Sequence, residues 1–467
     1  MTMGVSEAPE QGARDGSGAS ARAPRSMQRR SAIDADLFAA MRVLRRLAVH
    51  LFSFETLFLL FLFAGRFKAD PRLAWVPVDL TLLFFAASLA VAALVIRRER
   101  VYLPGLRLVM LFLAFAAWAV LSWAWTPGPI YGLTKIVGLM GACLWAVAGT
   151  ALVIANRRIR VVRFLVLLGI FAVLLAWDWL SFYGLGKVTE HGFIRSSGYL
   201  NAGTAIVGGA LAVFTLVLYA RPLSLHWSLA AATLAFLTLV LLIIGGRSPI
   251  VGMVVAMMVP MAIHTRLTRR GPLIHRSQLA VLLVMAGAAV AITWTLASGE
   301  VTWTLRRFGQ LFSQGSGDSS TAPRIHFILF ALESWARAPI LGHGLGSFGI
   351  MFAGADERSF PHNIFLEAMH ETGTTGLLLM GACFVFVLGR LGLQRLRHEP
   401  ALLCALMVFT ANMVFSLISG AFAEDRFTSA SLGLLLMRPL ALARPTAQAS
   451  AREPAAHSAG RALGLLR

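Results

Sequence analysis

The sequence predicts an all-α, polytopic membrane protein of about twelve transmembrane helices, with one long extracytoplasmic loop that contains amphipathic helices. Three observations carry that reading. The 467 residues are 57% hydrophobic and only 14% charged, far more apolar than a soluble globule of this size requires. The apolar residues come in runs close to twenty long, the length that crosses a bilayer as a helix. The Lys and Arg behind the formal net charge of +20 lie in short clusters between those runs. That spacing writes membrane topology and argues against nucleic acid as a partner.

Taken in order, residues 1–45 are rich in Ala, Gly, Ser and Arg and lack an apolar core segment. They are expected to form a disordered basic cytoplasmic tail and not a signal peptide, with Met27 and Met41 as alternative starts. Apolar spans follow at about 46–64, 76–96, 106–125, 132–155, 161–180, 200–220, 226–244, 248–264 and 278–297. Nine helices thus occupy 46–297. A polar loop spans 298–372, and three further helices, at about 373–390, 400–420 and 427–443, occupy 373–443. The last span is short and holds Arg438 and Pro439. Residues 444–467 form a second cytoplasmic tail. Cys143, Cys383 and Cys404 sit inside apolar stretches without paired spacing and read as small buried hydrophobes, neither disulfide nor metal ligands.

Alternate loops differ in charge. RRER at 97–100, NRRIR at 156–160 and TRLTRR at 265–270 fall on one side, which holds more than twice the Lys and Arg of the other. That side is expected to be cytoplasmic, with both termini on it. The loop around Arg195, the Gly245-Gly246-Arg247-Ser248-Pro249 break and the loop 298–372 then share the outer side. Polar residues gathered there, in a chain otherwise built of apolar runs, mark the expected site.

Within the long loop, Val301, Leu305, Phe308 and Phe312 recur at helical spacing and predict an amphipathic helix over about 301–313. Ser320 or Thr321 caps a second helix with Pro323 in its first turn. Its apolar stripe is Ile325, Ile328, Leu329, Leu332 and Trp335, and Pro339 stops it. Arg324 lies in the first turn off that stripe. Arg337, in the last turn, suits the helix dipole and reads as structural. Gly344-Leu345-Gly346-Ser347-Phe348-Gly349 matches a dinucleotide fingerprint by letter, but no strand precedes it and no βαβ unit surrounds it. A Gly-rich turn that lets backbone approach a ligand or another helix fits better.

Pro361-His362-Asn363 precedes a helical run with Glu367, His370 and Glu371 on its other faces. Cations at Arg195, Arg247 and Arg324 on the same side would keep His362 neutral and able to accept a proton. Arg247 follows two glycines and precedes Ser-Pro, so the helices break there and expose the guanidinium; a connector arginine reaching lipid headgroups is the alternative. Guanidiniums bind phosphate oxygens as a bidentate fork, at about 1.5–3 kcal/mol per charge-assisted bond, which suits a lipid-linked diphosphate. A metal site drawn from His362, Glu367, His370 and Glu371 is disfavoured by their helical offsets, and there is no Asp-x-Asp pair for a divalent ion on a sugar diphosphate. Asp70 and Asp79 read as topological.

At these residues the chain resembles the O-antigen ligase family of membrane glycosyltransferases. The matching pieces are FIRSSGYLNAGTA (193–205), GGRSPIVG (245–252), the stretch from Arg324 to Phe348, PHNIFLE (361–367) and ETGTTGLL (371–378). The resemblance implies a fold related to the C-type membrane glycosyltransferases in the bacterial inner membrane, with the site on the periplasmic face. It implies a cofactor- and metal-independent, inverting transfer of a glycan from undecaprenyl diphosphate to lipid A-core or another glycan acceptor, within lipopolysaccharide biosynthesis. Carried over by position, His362 would activate the acceptor hydroxyl, and Arg247 and Arg195 would bind the diphosphate. Arg324 would be a fourth such residue, and with it Asn363 and His343 are expected to line the substrate. This chain departs from the usual pattern at His343 and at Asn201-Ala202. A polysaccharide polymerase or protein O-oligosaccharyltransferase would use the same donor. A transporter is disfavoured by the lack of a repeat between halves and the scarcity of mid-membrane ionisable residues.

Overall fold

A computed structural model describes residues 53–65, 67, 71–73, 75–183, 199–244, 246–268, 271–273, 287 and 322–439. The described helices belong to one unit that begins at Phe54. In chain order they are α1 (Phe54–Ala64), α2 (Leu80–Arg98), α3 (Leu103–Ser122), α4 (Pro129–Ile154), α5 (Arg158–Tyr183), α6 (Tyr199–Tyr219), α7 (Leu225–Ile244), α8 (Arg247–His264), α9 (Ala322–Arg337), α10 (Ser347–Ala353), α11 (Ile364–Leu388), α12 (Leu393–His398), α13 (Pro400–Ser419) and α14 (Arg426–Leu434). Nine of these, α2 to α8 with α11 and α13, are long and apolar enough to cross a membrane. Two three-residue strands, β1 (Arg266–Thr268) and β2 (Gly271–Leu273), form an antiparallel hairpin after α8. The expected ninth span at 278–297 apart from Gly287, the helix over 301–313, the loop around Arg195, Asp70 and both tails lie outside the described residues.

Local chemistry sets the helix starts. Asp79 caps α2, its Oδ1 accepting from Thr81 N at 2.7 Å and Leu82 N at 3.2 Å. Asp356, on a distant loop, does the same for α4, accepting from Ile130 N and Tyr131 N at 2.8 and 3.0 Å. α4 widens into π-turns at Gly138–Cys143 and Gly149–Ile154. At the second of them the ring of Phe58 occupies the space a Cβ on Gly149 would need. α8 packs along α13, α5 along α6, and α3 along α11, with α6 in the middle of the bundle and the most enclosed of the spans.

Ion pairs and loop contacts gather one set of ends. Glu99 bonds Arg160 at 2.8 Å and Arg157 at 3.0 Å. Arg397 Nε donates to Ile263 O at 2.9 Å, and Arg438 N donates to Ala155 O at 2.8 Å. Those loops are the arginine-rich ones. The ends of α3 and α13 with the starts of α4, α8 and α11 make the opposite face.

The expected twelfth span departs from a simple helix. After α13 the chain turns back at Gly420 and dips without helical structure as far as Asp425, which accepts a bond from Ser416 one turn below the end of α13. α14, nine residues and about 13 Å long, starts at that depth. Turns through Met437 carry the chain on to Arg438 beside Ala155, at the arginine-rich face. Non-helical backbone at membrane depth survives because it is buried in protein: Phe422 N donates to Glu367 Oε2 at 2.7 Å.

Candidate functional site

His362 stands two residues before the start of α11 in a left-handed conformation, φ 58°, which few non-glycine residues adopt. Its neighbour Asn363 caps the helix, accepting from Phe365 N at 3.0 Å and Leu366 N at 3.1 Å, and its Nδ2 donates to Leu417 O at 3.1 Å. The cap fixes where the imidazole projects. The ring lies against Phe360, with centroids 4.6 Å apart, and against Phe327 at 5.8 Å. Nδ1 is buried and has no hydrogen-bond partner. Burial, then Arg324, then Arg358 hold the imidazole pKa down to about 4, against a pull the other way from the Ser419 backbone. His362 is therefore neutral at pH 7.

Arg324 reaches this environment from α9. The face of α9 turned into the protein carries Phe327, Ala331 and Ser334, while Ile325, Leu329 and Leu332 are exposed. Three of the five residues of the apolar stripe thus face outward, while Ile328 and Trp335 are half-buried, Trp335 Nε1 donating to Thr374 Oγ1 at 3.3 Å. Arg324, three residues before Phe327, shares the inward face. Arg337 pairs with Glu333, i,i+4 on the same helix, in keeping with a structural role. Arg247 is the first residue of α8, half-buried, and its neighbour Ser248 accepts a bond from Ser419 Oγ at 3.4 Å. Ser419 thus links the start of α8 to His362. Gly203, near the start of α6, abuts Pro249, so the chain that follows Arg195 enters the bundle beside Arg247. Arg195 itself lies outside the described residues.

Behind His362, one turn into α11, lies a cluster that the sequence reading missed. Lys135 of α4 is fully buried and bonds Glu367 Oε1 at 2.6 Å and Glu371 Oε1 at 2.5 Å, both carboxylates being fully buried too. Glu367 and Glu371 share one face of α11, whereas the sequence reading spread them over different faces. Glu367 also holds Phe422 N, so the ammonium anchors the dip after α13 as well. Above it Arg358 forks onto Glu424 at 2.7–3.2 Å, and Tyr131 OH donates to the same carboxylate at 3.3 Å. The bond to Glu424 raises the Arg358 pKa further, so its charge is permanent. Loops 354–363 and 420–425 are clamped together on either side of His362.

His370 does not join His362. Its Nδ1 lies 2.5 Å from Ser334 Oγ and its Nε2 lies 3.2 Å from Ser347 Oγ. His343 stacks on it, with centroids 5.2 Å apart, and places its own Nε2 at 2.8 Å from Ser334 O. Phe327, Phe330, Phe348 and Phe352 form a ring cluster between this pair and His362. His343 thus sits in the packing of the Gly turn. In that turn Gly342, Gly344 and Gly346 all have positive φ. A Cβ on Gly346 would lie 2.4 Å from Gly132 N, so the turn admits the backbone of α4, the helix-contact reading of the glycines. Among the described residues no cluster of His, Cys, Asp and Glu has metal-binding geometry, and the four residues weighed for a metal are divided between Lys135, the two serines and His362's own pocket.

Lys135, Glu367 and Glu371 left one legible sign: a lone lysine in an apolar run and two glutamates four apart in another are each unstable in lipid without a partner. Residues 231–381, about a third of the chain, match the family model described as Wzy_C, O-Antigen ligase. The matched region takes in Arg247, Arg324, His343, His362 and Asn363. No curated protein matches the chain.

Proposed function

We propose that this chain, which carries an O-antigen ligase domain over residues 231–381, is a periplasmic-face glycosyltransferase of the inner membrane. Its donor is an undecaprenyl-diphosphate-linked glycan and its acceptor lipid A-core. The observation that carries the reading is His362: a neutral imidazole with an unpartnered ring nitrogen, set beside Arg324 at the end of the bundle where α8 begins with Arg247.

In the reaction, His362 takes the proton of the acceptor hydroxyl as its oxygen attacks the anomeric carbon of the donor sugar. The bond from that carbon to the diphosphate oxygen breaks, and the configuration inverts. Undecaprenyl diphosphate leaves with its charge held by Arg247 and Arg195, and Arg324 contributes to the same field. Asn363 positions His362 through its cap, and His343 supports the turn behind the site. The activated bond arrives with the lipid, so positioning, fixed cations and one base suffice.

The test is genetic and then chemical. Deleting the gene and resolving the envelope glycolipids on a gel should show bare core with lipid-linked polymer accumulating. Core bearing a single repeat unit would reassign the chain as a polymerase, and an unchanged profile would remove both readings. Complementation with His362→Ala or Arg247→Ala should fail although the protein inserts in the membrane.

A further inference from the structure

A groove of about 480 Å³ opens on the side of the bundle, far along the chain from the proposed site, between α5, α6 and the start of α13. Val162, Val166, Ile170 and Leu174 of α5 line it at every fourth residue, so they stand in one row, and all four are exposed. At 1.5 Å per residue that row is about 18 Å long, slightly more than half of a bilayer's hydrocarbon thickness of about 30 Å. Gly169 also lines the groove. A Cβ there would meet nothing nearer than Val213 Cγ2 at 3.8 Å, so the space beside it is open.

Arg158, the first residue of α5, stands at one end of the groove, at the arginine-rich face. Arg157 and Arg160 pair with Glu99, and Arg163 pairs with Glu55. Arg158 is exposed and has no acidic partner among the described residues. The positive end of the helix dipole adds to its charge. An apolar slot one leaflet deep, ending in an unpaired guanidinium at the interface, is complementary to one acyl chain joined to a phosphate.

We propose that this groove binds an anionic glycerophospholipid from the leaflet at the arginine-rich face, one acyl chain along α5 and the phosphate on Arg158. The site is separate from that of the lipid-linked donor, whose diphosphate belongs at the opposite face, and it does not depend on the transfer reaction.

The purified full-length protein, stripped of lipid in detergent, is offered phosphatidylglycerol or phosphatidylcholine, and retained lipid is counted by native mass spectrometry. One phosphatidylglycerol per chain is expected, favoured about fivefold over phosphatidylcholine, as one interfacial arginine supplies. Arg158→Gln, at an exposed position, should bring the two lipids level. Gly169→Phe, whose ring fills the groove, should retain neither, and Arg98→Gln should behave as the wild type. Equal retention of both lipids by the wild type, or a preference unchanged in Arg158→Gln, would overturn the proposal. So would displacement of phosphatidylglycerol by a polyprenyl phosphate, which would make the groove a seat for the donor's tail.

Discussion

An imidazole walled by two phenyl rings and two guanidiniums is a weak base while the site is empty. An anionic diphosphate beside it offsets the field of those guanidiniums, so the basicity of His362 should rise when donor binds. The acid limb of kcat should therefore lie at higher pH than the limb of kcat/KM, which reports the free enzyme with its pKa of about 4. Coincident limbs, or a full rate in His362→Ala, would remove the base assignment; removal of a general base costs about 10²–10⁴-fold. The same depression has a stability consequence. The folded state holds His362 neutral, whereas an unfolded histidine protonates near 6.5, so its contribution is intact above pH 6.5 and is lost as pH falls towards 4. Thermal melts between pH 7 and 4 should fall more steeply for the wild type than for His362→Gln. Lys135 makes a second residue-scale case. Lys135→Met leaves two buried carboxylates without their cation and should cost about 3–5 kcal/mol in detergent melts. The triple variant Lys135→Met, Glu367→Gln, Glu371→Gln should recover most of that. Each of these residues is visible in the sequence, but the partners are 232 and 236 positions apart, and no periodicity reports a pairing across that distance.

Among the elements, boundaries were more legible than faces. α9 begins beside Pro323 and ends before Pro339 as the turn chemistry dictates, yet the apolar stripe alone does not report which side meets the protein. In water an apolar stripe turns inward. Beside lipid the largest aliphatics turn outward and small or aromatic side chains meet the neighbouring helix. The Gly turn after α9 reads the same way: its glycines are legible as a place of close approach, while what approaches, the backbone of α4, is not. Gly346→Ala should be strongly destabilising, since it combines φ 84° with a Cβ 2.4 Å from Gly132 N. Gly381→Ala, with nothing within 4 Å of its Cβ inside α11, should be neutral or gain about 0.5–1 kcal/mol. Equal melting temperatures for the two variants would contradict the packing described for the turn.

For the whole molecule, the positions of the spans follow from hydropathy because a lipid-facing backbone has only one way to satisfy its hydrogen bonds. Orientation is a separate question, which a labelling experiment answers cleanly because all three native cysteines are buried. Glu357→Cys should react in intact cells with a membrane-impermeant thiol reagent and Arg98→Cys only after lysis, if the arginine-rich face is cytoplasmic; the reverse pattern would invert the topology. The last crossing is the part least open to hydropathy, since it is half dip and half helix. That construction also bears on how the protein is made. A nine-residue helix headed by Arg426, preceded by a stretch whose Phe422 N bonds Glu367 and whose Asp425 carboxylate is held by Ser416, has no stable place in bare lipid. Such a segment should settle only after α4, α11 and α13 lie side by side, which would make its placement a late step of assembly that reads out whether those three helices have met.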